Sequence, residues 1–211
     1  MGCRLFATVS QVSTGVGIRR LLGLFVIAAA VWACGDGGAS DANNSGQGAE
    51  QNVILTASAD KASYGAGEEV RLSLKLTNSD TAAVCLSDMA TGNIRFTSLT
   101  RDGESVETRS TPSFFIASLS EILKSRLTLV ASGEALELTL TSSFDPGLGA
   151  WALDTTVPED SSAMATFYNV GEPGQYALEL VYEYTGVPST DCADVFSGPT
   201  NPVPVTFAVS E

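Results

Sequence analysis

The stretch VRLSLKLT, residues 70–77, decides the fold class because apolar and polar side chains alternate along it without a break. A period of two places successive side chains on opposite faces of a β-strand, so one face of this strand is predicted to be buried and the other solvated. That arrangement is typical of antiparallel sheets. The predicted core residues are Val70, Leu72, Leu74 and Leu76.

The same alternation recurs at residues 136–140, 176–184 and 203–209. Turn-forming residues separate these apolar runs, and Asp102-Gly103 is a pair that favours a type I′ hairpin turn. Several short strands connected in this way are typical of a β-sandwich. We therefore predict that residues 53–211 form one all-β domain, an antiparallel β-sandwich.

Two stretches depart from the alternation. Residues 118–127 have leucine and isoleucine at helical spacing, and Ser118 and Glu121 take the positions of a capping box, which predicts a short helix. Residues 142–165 are rich in Asp, Pro, Gly and Ser around Trp151 and are interpreted as a long inserted loop with room for one strand. Long loops on rigid sandwiches often carry binding surfaces.

The composition excludes several classes of function. The chain has 211 residues with 11 Lys and Arg against 24 Asp and Glu, and its net charge of -13 would repel nucleic acid. It contains no histidine, which rules out a Ser-His-Asp triad, a Cys-His pair and an H-E-x-x-H zinc site. Catalysis by carboxylates alone stays open in principle. We expect no catalytic residues, no metal and no cofactor.

The acidic residues are unevenly distributed. Residues 127–211 contain 12 acids and neither Lys nor Arg. We interpret this as a solvated exterior, and a cation-binding surface is the alternative.

The N-terminal segment has the order of an export signal. Arg4, Arg19 and Arg20 precede an apolar run at residues 21–33. Thirteen helical residues cover about 20 Å, which is too short for a hydrocarbon core of about 30 Å. Residues 1–33 are therefore predicted to be a cleaved signal peptide.

The sequence Val31-Trp32-Ala33-Cys34 resembles the signal of bacterial lipoproteins, in which a small residue precedes a cysteine that becomes acylated. The resemblance implies that Cys34 is the lipidation site and carries acyl chains such as palmitate. It also implies a location in the cell envelope, and Gly35 after the cysteine favours the outer membrane. An ordinary secretory signal with a chance cysteine is the alternative.

The lipidated cysteine and linker, residues 34–52, contain no large apolar side chain after Cys34 and are predicted to be a disordered tether. If Cys3 leaves with the signal and Cys34 is acylated, Cys85 and Cys192 are the cysteines that remain. In an oxidising compartment a disulfide between these two is expected. Two free buried cysteines are the alternative.

The amino-acid sequences of four segments resemble a known family. These are residues 59–78, 95–106, 127–140 and 168–184. They are similar to the non-catalytic Ig-like domain that precedes the zinc protease domain in bacterial deuterolysin-type, peptidyl-Lys metallopeptidases. The Tyr-x-x-Gly-Glu-x-Val pattern at residues 64–70 also resembles macroglobulin-type domains and the BsuPI-type proteinase-inhibitor domain. The resemblance implies an Ig-like sandwich without the protease half, so no catalytic residue is carried over.

These observations favour a lipid-anchored envelope protein whose Ig-like domain binds another protein without catalysis. The candidate binding residues are Trp151, Phe144 and Asp145, all within the predicted loop. One alternative is a proteinase inhibitor that inserts residues 142–165 or 108–118 into an active-site cleft. A second alternative is a structural or assembly component of the envelope.

Overall fold

The computed structural model describes residues 52–113, 118–159, 162–192 and 194–211. The predicted signal peptide, Cys34 and the linker as far as residue 51 lie outside the described residues.

The elements of this part of the chain are mostly strands. In chain order they are β1 Val53–Ala59, β2 Ser63–Gly65, β3 Arg71–Asn78, β4 Val84–Ser87, β5 Ile94–Arg101, β6 Glu104–Ser105, β7 Thr108–Ser113, α1 Leu119–Ser125, β8 Leu127–Val130, β9 Ala135–Thr141, β10 Ser143–Asp145, β11 Ala150–Glu159, β12 Ser162–Asn169, β13 Gly174–Tyr182 and β14 Val203–Ser210.

Two sheets form the sandwich. One has the order β1-β3-β9 and the other the order β2-β14-β13-β5-β6. All neighbouring strands are antiparallel except β2, which runs parallel to β14. An Ig domain places its strands A, B and E on one sheet and C, F and G on the other, and β1, β3, β9 and β5, β13, β14 take those places. The predicted all-β, Ig-like sandwich is confirmed.

The core follows from the alternation in β3 and β13. Leu72, Leu74 and Leu76 of β3 are almost completely buried, whereas Arg71, Ser73 and Lys75 between them are exposed. On the facing sheet, β13 buries the ring of Tyr176 in the same way, and this ring stacks on Phe207 of β14 with centroids 5.0 Å apart. The predicted inward faces of both strands are therefore correct.

A third sheet of four strands, in the order β10-β11-β12-β7, corrects the prediction of a long loop. Residues 142–165 contain all of β10 and β11 and the first half of β12. The loop prediction was wrong because β11 buries neighbouring residues in pairs and does not alternate, so the period-two pattern misses it. β12 also pairs with β7, which precedes it by about fifty residues and is not visible in the local pattern. In the described part of this stretch, residues 146–149 form a turn, and they include Pro146, Gly147 and Gly149, which suggested a loop.

Two predictions from the local sequence outside this sheet, a capped helix and a type I′ turn, are confirmed. The Ser118 hydroxyl accepts a hydrogen bond from the Glu121 amide at 3.4 Å and caps α1. Asp102 and Gly103 have φ angles of 52° and 87°, as a type I′ turn requires, and they connect β5 to β6. Within the described residues, no helix has the length and apolar character needed to cross a membrane.

The two remaining cysteines lie at disulfide distance, as predicted, with Cα atoms 6.3 Å apart. Cys85 lies in β4, and Cys192 lies in the segment between β13 and β14. The Cys85 amide donates to the carbonyl of Asp194 at 2.8 Å, and the Phe196 amide donates to the carbonyl of Cys85 at 3.1 Å. The disulfide and these two bonds together fasten the segment onto β4.

Reduction of this disulfide is expected to destabilise the domain. The bridge joins positions 107 residues apart, and closing a loop of that length restricts the unfolded chain by about 4 to 5 kcal/mol. Urea unfolding of the full chain should show that loss after reduction. The C85A/C192A variant should match the reduced protein and should not respond to reductant. Equal midpoints for the oxidised and reduced chain would contradict the prediction.

Candidate functional site

The three predicted binding residues lie on one hairpin, which β10 and β11 form. Phe144 and Trp151 are directly opposite each other across this hairpin, so their side chains share one face. Phe144 is 56% exposed, and Trp151 is partly buried. We call this pair the aromatic patch. The structure therefore brings the two aromatic residues together, but on paired strands and not in the irregular loop predicted for Trp151.

Two glycine turns hold the backbone and ring of Trp151. A side chain at Gly171 would place its Cβ 2.9 Å from the Trp151 amide nitrogen, so only glycine allows this approach. The Trp151 carbonyl accepts a hydrogen bond from the Val170 amide at 2.8 Å. On the other side, Nε1 of the indole lies 3.8 Å from the position that a Cβ atom would take at Gly67. The backbone of Trp151 is thus fixed at the position opposite the more exposed Phe144.

Asp145 forms structural contacts within the third sheet. Its carboxylate is almost fully buried and forms a two-pronged ion pair with Arg109 of β7, in which Nε lies 2.9 Å from Oδ1. Oδ1 also accepts a hydrogen bond from the Leu148 amide at 2.7 Å. The Arg109 guanidinium, helped by this amide, holds the pKa of the Asp145 carboxyl below its ordinary value. Asp145 therefore secures the hairpin.

Arg109 is the residue of this site that sequence reasoning missed. It lies 36 residues before Asp145, and no local pattern signals the pairing. Its guanidinium carbon is 5.1 Å from the ring centroid of Phe167, a cation-π distance. A side chain at Gly147 would overlap the guanidinium, so this glycine lets the turn close over Arg109. Since β7 and β10 are the two edge strands of the third sheet, the ion pair connects both of its edges.

A second acid lies on the sheet face opposite the aromatic patch. Asp154 of β11 is separated from Trp151 by an odd number of positions, so their side chains point to opposite faces. Burial raises the pKa of the Asp154 carboxyl above its ordinary value, and its hydrogen bond with the Thr156 hydroxyl is long, at 3.4 Å. In the part of the chain that the structure describes, no three acidic or cysteine side chains are grouped to hold a metal ion.

A shallow groove elsewhere offers a point of comparison. It has a volume of about 510 Å³ and lies beside α1, where its lining includes Cys192, Lys124 and Leu129. Leu129 is 67% exposed, but no aromatic residue accompanies it in the lining. A single exposed leucine is common on protein surfaces, whereas paired aromatic side chains more often mark contact sites.

Comparison with known proteins identifies no family. Neither the known protein families nor the curated protein sequences contain a match to this chain. Among solved structures, the chain is similar to AvmM, described as catalysing macrocyclization in alchivemycin A biosynthesis. The alignment covers 76% of this chain and 89% of that one, with 13% identity and a TM-score of 0.27. A likeness at that level carries no argument about fold or function.

The Asp145→Asn substitution is expected to destabilise the domain in a pH-dependent way. The folded-state pKa of Asp145 lies below its unfolded value of about 3.9, so the ion pair stabilises the fold above about pH 4. That stabilisation is lost as the pH falls through the lower, folded-state pKa. At pH 7 the variant should be less stable by roughly 1 to 3 kcal/mol.

Chemical denaturation of both proteins between pH 7 and pH 2.5 measures this difference. The difference in unfolding free energy between the two proteins should become smaller toward acid pH. Glu104→Gln removes an exposed acid from β6 and serves as the matched control. If the two proteins are equally stable at pH 7, or if their stability difference is the same at every pH, the stabilising role of the Arg109–Asp145 ion pair is wrong.

Proposed function

We propose that this chain is a lipid-anchored protein of the bacterial cell envelope that binds another protein through the aromatic patch and catalyses no reaction. The anchor is the acylated Cys34, and residues 34–52 act as the tether. The observation that carries the binding proposal is the 56% exposure of Phe144 directly opposite Trp151. The rest of the third sheet supports this pair from below.

The chemistry of the patch favours a protein partner. Aromatic side chains provide a large contact area with few rotatable bonds, and they are enriched among the residues that dominate binding energy. The Trp151 backbone is held by contacts at Gly171 and Val170, so little backbone freedom is lost on binding. A rigid, half-apolar surface of this kind suits contact with an apolar pocket on a folded partner.

The carboxylate nearest the patch supports contact over catalysis. Asp145 is held by Arg109 and by the Leu148 amide, which together use three of the about four acceptor positions of its carboxylate. An ionised carboxylate in this setting neither donates a proton nor approaches a substrate readily. Phe144, the residue next to it, is 56% exposed.

The inhibitor alternative expects a projecting loop at residues 142–165 or 108–118. Residues 143–145, 150–159 and 162–165 of the first expected loop form strands, as do residues 108–113 of the second, whose residues 114–117 lie outside the described part of the chain. A protease bound by the aromatic patch would still be an instance of the proposed contact, as would a subunit of an envelope assembly. The partner captured in the experiment below distinguishes these cases.

Replacement of Phe144 is expected to abolish partner binding without unfolding the domain. A photoreactive amino acid at position 144 of the full chain, expressed in cells, should capture a defined partner from the envelope. In a pull-down, F144S should recover at least about tenfold less of that partner, because the exposed anchor is lost. The matched control is L129S, which removes an even more exposed apolar side chain in β8.

Protease assays with the purified chain then test whether the partner is a protease. If capture at position 144 equals capture at position 129, or if F144S and L129S recover the same amount of partner, the proposed binding surface is wrong. Thermal melting of both variants checks that each remains folded.

The anchor is tested separately from the binding surface. Metabolic labelling with a clickable palmitate analogue should label the unsubstituted chain and the Cys3→Ser control, and both should fractionate with membranes. Cys34→Ser should be unlabelled, because the thiol that accepts the lipid is missing. Labelling of Cys34→Ser, or none in the unsubstituted chain, would contradict the acylation of Cys34.

A further inference from the structure

The free edge of β9 is unusual among the sheet edges of the described residues. β9 is seven residues long and pairs with β3 alone. It contains no proline, glycine or lysine, and its one charged residue is Glu137. Natural proteins protect sheet edges by short strands, proline, lysine or bulges, because an open edge is a template for another strand.

The other edges carry such protection. β2, β6 and β10 have two or three residues each, and β7 contains Pro112. β4 and β8 have four residues each. β1 is as long as β9, but it lies alongside β14 of the facing sheet, to which the chain crosses through β2. β5 is covered by β6 only at Thr100 and Arg101, and the uncovered part carries the exposed charge of Arg95 and the ion pair of that residue with Glu183. Among the described strands, β9 is therefore the long edge with the least protection.

The hydrogen-bond pattern shows which backbone groups of β9 are available. The Ser142 amide donates to the Val70 carbonyl at 2.8 Å and the Asn78 amide to the Glu134 carbonyl at 2.9 Å, so the even-numbered residues of β9 bond to β3. In an antiparallel ladder the bonding direction alternates from one residue to the next. The amide and carbonyl groups that point away from β3 belong to Ala135, Glu137, Thr139 and Thr141.

We propose that the β9 edge binds the β9 edge of a second copy of this chain, antiparallel and with a two-fold axis at Leu138. The two β1-β3-β9 sheets then join into one sheet of six strands. Only odd-numbered residues can form the new hydrogen-bonded pairs, which restricts the register. With the axis at Leu138, Ala135 pairs with Thr141 and Glu137 pairs with Thr139, and each pair occurs twice. Two bonds for each of the four pairs give about eight backbone hydrogen bonds.

Charge selects this register over its neighbour. An axis at Glu137 would place the two Glu137 side chains directly opposite each other, which is unfavourable. With the axis at Leu138, each Glu137 is opposite a threonine hydroxyl, and Lys75 is its neighbour on β3. On the inner face, Leu136, which is only half-buried in one copy, lies opposite Leu140 of the other. The register therefore avoids charge repulsion and covers apolar surface.

The net charge predicts how this association responds to salt. Each copy carries a net charge of -13, so two copies repel each other at low ionic strength. Salt screens that repulsion and leaves the backbone hydrogen bonds in place. Self-association should therefore become stronger as the NaCl concentration rises, which is the opposite of a complex held by ion pairs.

Proline at position 139 tests the edge. The Thr139 amide points away from β3, so T139P removes a donor from the free edge without removing one from the β3 ladder. Sedimentation equilibrium of the full chain in density-matched detergent should show a dimer that T139P weakens by about tenfold or more. T139V keeps the amide and should remain within about twofold of the unsubstituted chain. A monomer at every concentration and salt, or equal association of T139P and T139V, would overturn the proposal.

Cysteine crosslinking tests the register and does not depend on the folding of T139P. Under mild oxidation, a mixture of E137C and T139C chains should form a crosslinked dimer, because these positions face each other across the two-fold axis. Each variant alone should crosslink several-fold less, since its cysteines are then diagonal neighbours. The unsubstituted chain, treated alike, gives the background from the native cysteines. Crosslinking of E137C alone that equals the mixture would overturn this register.

Discussion

The alternation of leucines in β3 is the constraint on which the sandwich depends. β3 is the central strand of its sheet, so its odd-numbered residues bond to β1 and its even-numbered residues bond to β9. The same period of two sends Leu72, Leu74 and Leu76 into the core and Arg71, Ser73 and Lys75 outward, and the polar residue that β3 buries is Asn78 at its end. A shift of one residue in either pairing would expose the leucines and bury Arg71 and Lys75, so register and burial reinforce each other.

The third sheet depends on a different interaction, the ion pair between Arg109 and Asp145. These residues come from the two edge strands, β7 and β10, which enter the sheet from distant parts of the sequence. Burial of the carboxylate makes the pair sensitive to the loss of either partner. By fixing the β10–β11 hairpin, the ion pair also fixes the direction in which Phe144 and Trp151 face.

The two proposed contact surfaces belong to separate sheets. The aromatic patch lies on the third sheet, and the β9 edge belongs to the β1-β3-β9 sheet. They also use different physics, since one offers apolar side chains and the other offers backbone hydrogen bonds. A partner on the patch and a second copy on the edge would therefore involve different residues, and a substitution such as F144S or T139P addresses one surface at a time.

Period-two alternation, capping residues and turn pairs act over a few neighbouring positions, and they were sufficient to predict strands β3, β9, β13 and β14, helix α1 and the Asp102-Gly103 turn. The Cys85–Cys192 pairing followed from elimination. The pairing of β7 with β12 and the ion pair of Asp145 with Arg109 were not predictable, because both bring together distant positions. The β10–β11 hairpin that carries Trp151 is local, but β11 does not alternate strictly between buried and exposed residues, so the period-two pattern did not reveal it. A carboxylate near a turn has the same local sequence whether it is free or paired. Only the tertiary structure decided that Asp145 is held by Arg109 and that Phe144 remains exposed.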